Sequence, residues 1–143
     1  MTNGRNEHDS DKIARPAKKI VLAEDDPDIR YILNLALSEA GYEVEALSDG
    51  SKVVEKGRNS PDLFILDKAL PTIDGLAICK YLKINASTRN IPIIMISCYH
   101  EMRNKAKKLG VNDFVEKPFD LGVLLEMVSR NISDQEKKPL KAT

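Results

Sequence analysis

Several residue types and patterns are scarce in this sequence, and each shortage excludes a class of protein. The chain has no tryptophan and two cysteines, Cys79 and Cys98, which stand 19 positions apart without a C-x-x-C pair. This spacing excludes a four-cysteine zinc site and argues against a disulfide scaffold. No apolar run approaches the roughly 18–20 residues that a membrane-spanning helix needs, and residues 1–16 contain no apolar signal core. We therefore expect a cytoplasmic protein that has no membrane segment.

The charges balance, with 22 Lys and Arg residues against 22 Asp and Glu residues and a formal net charge of zero. A general nucleic-acid-binding protein usually shows a basic excess, so we expect no direct DNA binding. Neither a G-x-x-x-x-G-K loop nor a G-x-G-x-x-G turn is present, which leaves nucleotide and dinucleotide binding without support.

The length of 143 residues and the hydrophobic content of 42% fit one globular domain. Residues 1–17 mix bases and acids with few apolar groups, and residues 133–143 have the same character. Such segments bury too little apolar surface to offset the entropy that ordering would cost. We predict a mobile N-terminal tail at 1–17, a folded domain at 18–132 and a mobile C-terminal tail at 133–143.

Short apolar runs alternate with amphipathic segments throughout the predicted domain. Three of these runs, 20–23, 63–66 and 93–96, are unbroken, which is typical of strands that are covered on both faces. The segments between them repeat apolar residues every three or four positions, as helices do. This alternation predicts an α/β fold, a doubly wound five-stranded parallel sheet with helices on both faces. The predicted strands are 19–23, 42–47, 62–66, 91–96 and 111–116. The predicted helices are 27–40 after the N-cap Asp26, 49–58, a helix that Asp74 caps and that contains Leu76, Cys79 and Leu82, 100–109 and 120–131.

Residues with reactive side chains follow the apolar runs, at the points where the predicted strands end. The carboxyl ends of parallel strands meet at one edge of a sheet, so these side chains should lie together. Two carboxylates 4 Å apart repel each other by about 4 kcal/mol at an effective dielectric constant near 20, and a divalent cation would offset that repulsion. The residues are Glu24 and Asp25 after the first run, Asp67 after the third, Ser97 after the fourth and Lys117 after the fifth.

A cation, an ammonium group and a hydroxyl beside carboxylates describe a site that accepts a phosphoryl group. Mg²⁺ prefers oxygen ligands and pairs with carboxylates and phosphate. The Lys117 ammonium and the Ser97 hydroxyl can both bind phosphate oxygens. The sequence thus predicts a magnesium-dependent phosphoryl acceptor in which Asp67 is the nucleophile.

The same residues lie in motifs whose order and spacing resemble the receiver domain of two-component response regulators. The resemblance covers residues 18–132 and is to a stand-alone receiver of the chemotaxis-regulator type. It implies a flavodoxin-like fold with the strand order 2-1-3-4-5. It also implies a phosphorelay protein that assists its own phosphorylation and dephosphorylation and is not otherwise an enzyme. The motifs are Glu24-Asp25, Leu66-Asp67-Lys68-Ala69-Leu70-Pro71 with Asp74-Gly75, Ile96-Ser97 and Glu116-Lys117-Pro118-Phe119.

The resemblance implies a role for each residue of the site. Asp67 would accept the phosphoryl group from a histidine kinase or a histidine phosphotransfer protein. Glu24, Asp25, Asp67 and the backbone carbonyl of Ala69 would hold Mg²⁺. Lys117 would contact the phosphoryl group, and the bond between Lys117 and the proline that follows it is commonly cis in the family. The downstream partner would be a protein that the sequence does not identify.

Ser97 and Phe114 occupy the positions of the family's switch residues. Ser97 would move toward a phosphoryl oxygen, and the ring of Phe114 would then rotate inward. Because these contacts exist only with the phosphoryl group, they can shift an equilibrium between two surfaces. The surface usually affected in the family comprises the segments 100–109, 111–116 and 120–131.

Four features depart from the family pattern or leave a choice open. Lys68 directly follows the phosphoacceptor, where it could lie over the site or, as we favour, point to solvent. Cys98 could be a redox-active group, but we favour a small apolar filler. Ser97 and Lys117 are 20 positions apart, slightly fewer than the family implies, which shortens the segment 97–110. The fourth predicted helix has a basic face that we interpret as solvated, although it could bind an acidic partner.

Two other functions stay open at this point. A degenerate receiver would act as a constitutive protein-interaction module, and both Lys68 and the short segment 97–110 favour it. A phosphohydrolase of the haloacid-dehalogenase type also uses an aspartate at a strand end with Mg²⁺. That family needs a second aspartate at the position where this chain has Ala69. The receiver is the hypothesis that accounts for the whole set of site residues.

Overall fold

The computed structural model describes residues 16–137, and a five-stranded parallel sheet lies at its centre. The strands are β1 Lys19–Ala23, β2 Glu43–Leu47, β3 Leu63–Asp67, β4 Ile93–Ser97 and β5 Asp113–Glu116. They are arranged in the order β2-β1-β3-β4-β5, and each neighbouring pair is parallel. The predicted fold class and strand order are confirmed.

Each strand is followed along the chain by an α-helix. The helices are α1 Pro27–Glu39, α2 Gly50–Lys56, α3 Gly75–Ile84, α4 Met102–Lys108 and α5 Leu121–Lys137. The side chain of Asp26 caps α1 by accepting hydrogen bonds from the N–H groups of Asp28 and Ile29, at 2.9 and 3.2 Å. Between residues 16 and 137, no helix combines the length and the apolar character that crossing a membrane requires.

The sheet separates two apolar cores because neighbouring side chains of a strand point to opposite faces. One face of the sheet packs against α1 and α5, and the other face packs against α2, α3 and α4. The first core contains Ile20, Leu22, Ile65, Leu33, Leu37, Leu124 and Val128. The second core contains Val21, Phe64, Met95, Val53, Ile78, Leu82 and Ala106. Burial on both faces is the reason why β1, β3 and β4 contain unbroken apolar runs.

Several predicted boundaries of elements are wrong by a few residues. The last helix continues to Lys137, six residues beyond the predicted end at 131, and Ile132 still packs in the core. The fourth helix is shorter than predicted, and no side chain caps its start at Glu101. The predicted division into a domain and two tails stays a prediction, because residues 1–15 and 138–143 lie outside the described part of the chain.

The end of β3 and the start of α3 approach each other closely. The N–H of Gly75 donates to the carbonyl of Lys68 at 2.8 Å. A Cβ atom at Gly75 would collide with the backbone of Asp67 and Lys68, so the approach requires glycine. This contact brings the first turn of α3 next to the predicted phosphoacceptor.

Candidate functional site

Three carboxylates meet at the carboxyl edge of the sheet. Glu24 and Asp25 directly follow β1, and Asp67 is the last residue of β3, the strand that pairs with β1. One carboxylate oxygen from each residue lies within 4.8 Å of the other two. Glu24 is fully buried and Asp67 is 3% exposed, whereas Asp25 is exposed to solvent. The site therefore consists of a buried acidic pair with a third carboxylate on its solvent side.

The ammonium group of Lys117 completes this cluster from β5. Its Nζ atom lies 2.9 Å from Asp67 Oδ2 and 2.9 Å from Glu24 Oε1. The backbone N–H of Lys117 donates to the carbonyl of Ser97 at 2.9 Å, which fixes the residue just beyond the strand. The peptide bond between Lys117 and Pro118 is cis, as the family resemblance implies.

The three carboxylates carry more negative charge than one ammonium group neutralises. Burial, followed by hydrogen bonding to Asp67, raises the pKa of Glu24 from 4.5 to about 7. Burial alone would lower the pKa of Lys117, but its hydrogen bond to Asp67 and its close ionic contact with Glu24 outweigh that effect and raise it. The ammonium group therefore stays charged, while Glu24 retains a proton up to near-neutral pH.

The oxygen atoms of the cluster fit a hard divalent cation. In the described structure, Glu24 Oε1 is buried and accepts no well-aligned hydrogen bond, although the Lys117 ammonium is 2.9 Å away. A cation would give this oxygen a partner and would offset the repulsion among the carboxylates. Ala69 lies beside the cluster, because its N–H donates to Asp67 Oδ1 at 3.2 Å. That the Ala69 carbonyl is a ligand stays a prediction.

The hydroxyl of Ser97 is buried at the end of β4. Ser97 is 1% exposed, and its Oγ accepts a hydrogen bond from the N–H of Tyr99 at 3.0 Å. β4 lies between β3 and β5, so Ser97 stands between the strand of Asp67 and the strand of Lys117. In this conformation the hydroxyl is engaged with the loop that follows its own strand.

The ring of Phe114 is already inside the fold, with 8% of the residue exposed. The guanidinium carbon of Arg103 lies 4.8 Å from the ring centroid, and Arg103 also donates to the Phe114 carbonyl at 3.4 Å. An ion pair of 3.6 Å joins Arg103 to Glu116. The structure therefore shows the ring in the inward position. The predicted rotation and the role of Phe114 as a switch stay predictions.

Two residues next to the site differ from the expectations. Lys68 does not point freely to solvent, because its Nζ forms an ion pair of 3.3 Å with Asp74 at the start of α3. Cys98 is exposed, so the interpretation as a packed apolar filler is wrong. Its side chain lies at a turn beyond β4, where the chain leaves the sheet and the core ends.

An apolar groove adjoins the cluster on the side of α1. Its volume is about 500 Å³, and its walls come from α1, from the turn after β4 and from the segment that joins β5 to α5. Lys117 lines both this groove and the carboxylate cluster. The other lining residues are Ile29, Ile32, Leu33, Cys98, Pro118, Phe119 and Leu121.

Arg30 is a site residue that the sequence did not reveal. It lies on α1, and its Nη1 atom donates to the backbone carbonyls of Glu24 at 2.8 Å and Asp25 at 3.3 Å. The sequence shows only a charged residue in the first half of an amphipathic helix. Because the contact depends on how the chain turns between β1 and α1, no sequence pattern indicates it.

A second unforeseen contact supports the loop that follows Asp67. Asp49 caps α2 and accepts a hydrogen bond from the hydroxyl of Thr72 at 2.9 Å. Thr72 has a φ of 71°, where a β-branched residue is strained, and a 2.8 Å bond from the N–H of Ile73 to the carbonyl of Pro71 closes a γ-turn around it. The contact with α2 holds this strained turn in place.

Comparison with known proteins agrees with the geometry. Residues 20–129 match the family model of the response regulator receiver domain. Among curated proteins, the chain is 31% identical over 127 residues to the DNA-binding dual master transcriptional regulator RpaA of Synechocystis. That match covers 87% of this chain and 53% of RpaA, and the chain spans about half the length of the curated relatives that it matches.

Solved structures give the same result. The receiver domain of a signal transduction histidine kinase from Syntrophus aciditrophicus is 30% identical with a TM-score of 0.79, covering 89% of this chain and 98% of that chain. The receiver domain of the sensor histidine kinase PA1611 from Pseudomonas aeruginosa has a magnesium ion coordinated in its active-site cleft. It is 27% identical with a TM-score of 0.75, covering 82% of this chain and 98% of that chain. This chain therefore belongs to the family of response regulator receiver domains, the signalling domains of two-component phosphorelay systems.

Proposed function

We propose that this chain accepts a phosphoryl group on Asp67 from a histidine kinase or a histidine phosphotransfer protein, that the reaction depends on Mg²⁺, and that phosphorylation switches a protein-interaction surface. The observation that carries the proposal is the convergence of three carboxylates with the Lys117 ammonium at one edge of the sheet. This arrangement combines a nucleophile, a cation site and a fixed positive charge within a few ångströms.

In the proposed transfer, a carboxylate oxygen of Asp67 attacks the phosphorus of a phosphohistidine. A P–O bond forms as the P–N bond breaks, and the electron pair of the P–N bond returns to the imidazole. The Lys117 ammonium, which now bridges Glu24 and Asp67, would bind an oxygen of the transferred group. A bound Mg²⁺ would neutralise charge on the carboxylates and on the phosphoryl group.

The ligands proposed for Mg²⁺ are Glu24, Asp25, Asp67 and the carbonyl of Ala69. Support comes from the all-oxygen character of this set and from the buried Glu24 Oε1, which lacks a well-aligned hydrogen bond in the described structure. The magnesium ion in the cleft of the PA1611 receiver domain supports the same assignment. The ion would also favour the ionised form of Glu24, whose pKa burial raises to about 7 in the metal-free protein.

The groove beside Lys117 supports a protein as the phosphoryl donor. Its lining is mostly apolar, and Ile32 on α1 is 51% exposed in it. A donor that docks in this groove would contact the surface next to the phosphoacceptor, so its phosphohistidine could reach Asp67 without a large movement. Exposed apolar surface of this kind marks contact sites more often than free surface.

Incubation with acetyl phosphate and Mg²⁺, followed by intact-mass analysis, tests the proposal. Wild type should gain the mass of one phosphoryl group, and Asp67→Asn should gain none. Asp134→Asn, which changes an exposed aspartate on α5, is the matched control and should be labelled like wild type. Equal labelling of wild type and Asp67→Asn would reject Asp67 as the acceptor.

The degenerate receiver is the second candidate function, and one observation favours it. Phe114 is buried, and the guanidinium group of Arg103 packs over its ring. A surface that these contacts hold in one conformation could bind a partner constitutively. Failure of wild type both to bind Mg²⁺ and to be labelled by acetyl phosphate would favour this candidate over the first.

Direct binding of DNA by this chain is a question separate from phosphorylation. RpaA is a DNA-binding transcriptional regulator, and this chain matches 53% of its length. The zero net charge of this chain is the reason why we expect no direct DNA binding, and that expectation stays a prediction.

A further inference from the structure

Arg30 makes two contacts with the segment that carries the acidic residues of the site. Its Nη1 donates to the carbonyl of Glu24 at 2.8 Å and to the carbonyl of Asp25 at 3.3 Å. Arg30 is half-buried on α1, so its guanidinium group reaches back over the first turn of its own helix. One side chain therefore binds the backbone of both acidic residues that follow β1.

We propose that Arg30 is a positioning residue for the cation site, a role that rests on the proposed function. Through the two carbonyls it fixes the peptide groups of Glu24 and Asp25, and thereby the directions of their carboxylates. Arg30 does not touch the reacting atoms in this arrangement.

Asp25 depends on this contact more than Glu24 does. The backbone N–H of Glu24 donates to the carbonyl of Leu47 at 3.0 Å, and the Glu24 carboxylate accepts the N–H of Asp26 at 3.1 Å. Asp25 is exposed on the solvent side of the cluster. The contact from Arg30 is what ties its peptide group to α1. Without Arg30, the Asp25 carboxylate would have to be ordered when the cation binds, which weakens binding.

The sign of the change in affinity separates positioning from a plain effect of charge. A guanidinium group near a cation site repels the cation, so its removal should strengthen binding if charge is all that matters. If Arg30 positions the carboxylates, its removal should weaken binding in spite of the lost repulsion. Partners of metal ligands that lie outside the coordination shell typically change metal affinity by about 10–100-fold when mutated.

The experiment measures the Kd for Mg²⁺ of the full chain by isothermal titration calorimetry. We expect Arg30→Met, which keeps a long apolar stem without donors, to raise the Kd about 10-fold. Arg30→Lys keeps the charge and should give an intermediate Kd, because an ammonium group does not reproduce the guanidinium contacts. Arg89→Met removes an equal charge from an exposed residue after α3 and should bind like wild type.

Urea unfolding in EDTA shows whether the variants are folded, and Arg30→Lys carries the test if Arg30→Met is not. An unchanged or lower Kd in a folded Arg30 variant overturns the positioning role. Asp25→Asn separates this outcome from failure of the proposed function. If wild type binds no Mg²⁺, or if Asp25→Asn binds it equally well, the cation site itself is wrong and the positioning role is rejected with it.

Discussion

Glu24 is the residue at which burial and charge oppose each other most directly. It is fully buried, close to Asp67, and its contact with the Lys117 ammonium does not fully compensate for the loss of water. Its pKa is therefore raised to about 7. An acid in this state weakens the metal-free fold at neutral pH but gives a cation a strong ligand once the proton leaves.

The stability of the metal-free protein should depend on pH through Glu24. Since its pKa is about 7 in the folded chain and 4.5 ordinarily, the fold binds the proton more tightly than the unfolded chain does. This contribution to stability is fully present below about pH 4.5 and is lost as the pH rises through about 7. Glu24→Gln cannot lose a proton at this position, so it should not lose stability in this way. Between pH 5 and 8 its free energy of unfolding should rise relative to that of wild type by roughly 1–3 kcal/mol.

Urea unfolding in EDTA at several pH values measures this difference. Glu126→Gln changes an exposed glutamate on α5 and should follow wild type at each pH. Parallel curves for wild type and Glu24→Gln would show that Glu24 has an ordinary pKa, against the effect of burial described above.

Prediction at the residue scale succeeded where a position in the chain implied a position in space. Asp67 and Ser97 end central strands, so the parallel sheet alone brings them to one edge. Arg30 and Arg103 could not be found in this way. Their guanidinium groups act through long flexible stems, and their partners are backbone carbonyls or a ring that no sequence pattern pairs with them.

At the scale of elements, α4 is attached to the sheet by a small number of contacts. It has seven residues, and Ala106 is its one fully buried residue. Arg103 adds a contact with the Phe114 ring, a hydrogen bond to the Phe114 carbonyl and an ion pair with Glu116. Glu116 pairs in register with Ser97 and precedes Lys117, so Arg103 connects α4 to the strand that carries the site.

Removal of the Arg103 side chain should therefore expose the ring at position 114. The chain has no tryptophan, so Phe114→Trp provides a single fluorescent reporter. With Arg103 present, we expect a blue-shifted emission that resists quenching by acrylamide. In the Arg103→Met background the emission should shift to the red and quenching should increase, and the fold should lose about 0.5–1 kcal/mol, as expected for a cation–π contact near the surface.

Lys105→Met removes a charge from the same helix at an exposed position and serves as the control. Circular dichroism of each reporter protein verifies that the tryptophan is accommodated. Identical quenching with and without Arg103 would mean that the ring is buried by the sheet and α4 alone, and that Arg103 does not hold it.

The boundaries of elements were predictable only where their ends have distinctive chemistry. α1 begins at an Asp-Pro pair with a capping side chain, and its predicted start at Pro27 was correct. α4 begins after Glu101, which makes no capping bond, and its predicted start was two residues too early. The γ-turn at Thr72 was not predictable, since a β-branched residue gives no sign of a positive φ.

For the whole molecule, the fold class followed from the alternation of buried runs with amphipathic segments, and this alternation also fixes where the site lies. A sheet with two covered faces leaves its strand ends as the places where polar groups reach solvent. The end of α5 was not predictable, because the residues after 132 are polar and their helical conformation extends an element that is already anchored by Ile132.

Repulsion at the acidic site should lower the stability of the folded protein, and a bound cation should reverse this loss. The carboxylates converge only when β1 and β3 pair, so their repulsion acts on the folded state and hardly on the unfolded chain. Asp25→Asn removes one of the charges. In EDTA this variant should therefore unfold at a higher urea concentration than wild type.

Mg²⁺ should invert the relative stability of wild type and Asp25→Asn. A ligand that binds only the folded state stabilises it by about 2.7 kcal/mol at a concentration 100 times its Kd. Wild type should gain this stabilisation, and Asp25→Asn should gain little because a proposed ligand is lost. The unfolding curves of the two proteins should exchange places between EDTA and saturating Mg²⁺, whereas Asp134→Asn should stay with wild type in both. If Asp25→Asn were the less stable protein already in EDTA, repulsion among the three carboxylates would not be the dominant force at the site, and the need for a cation would lose its physical basis.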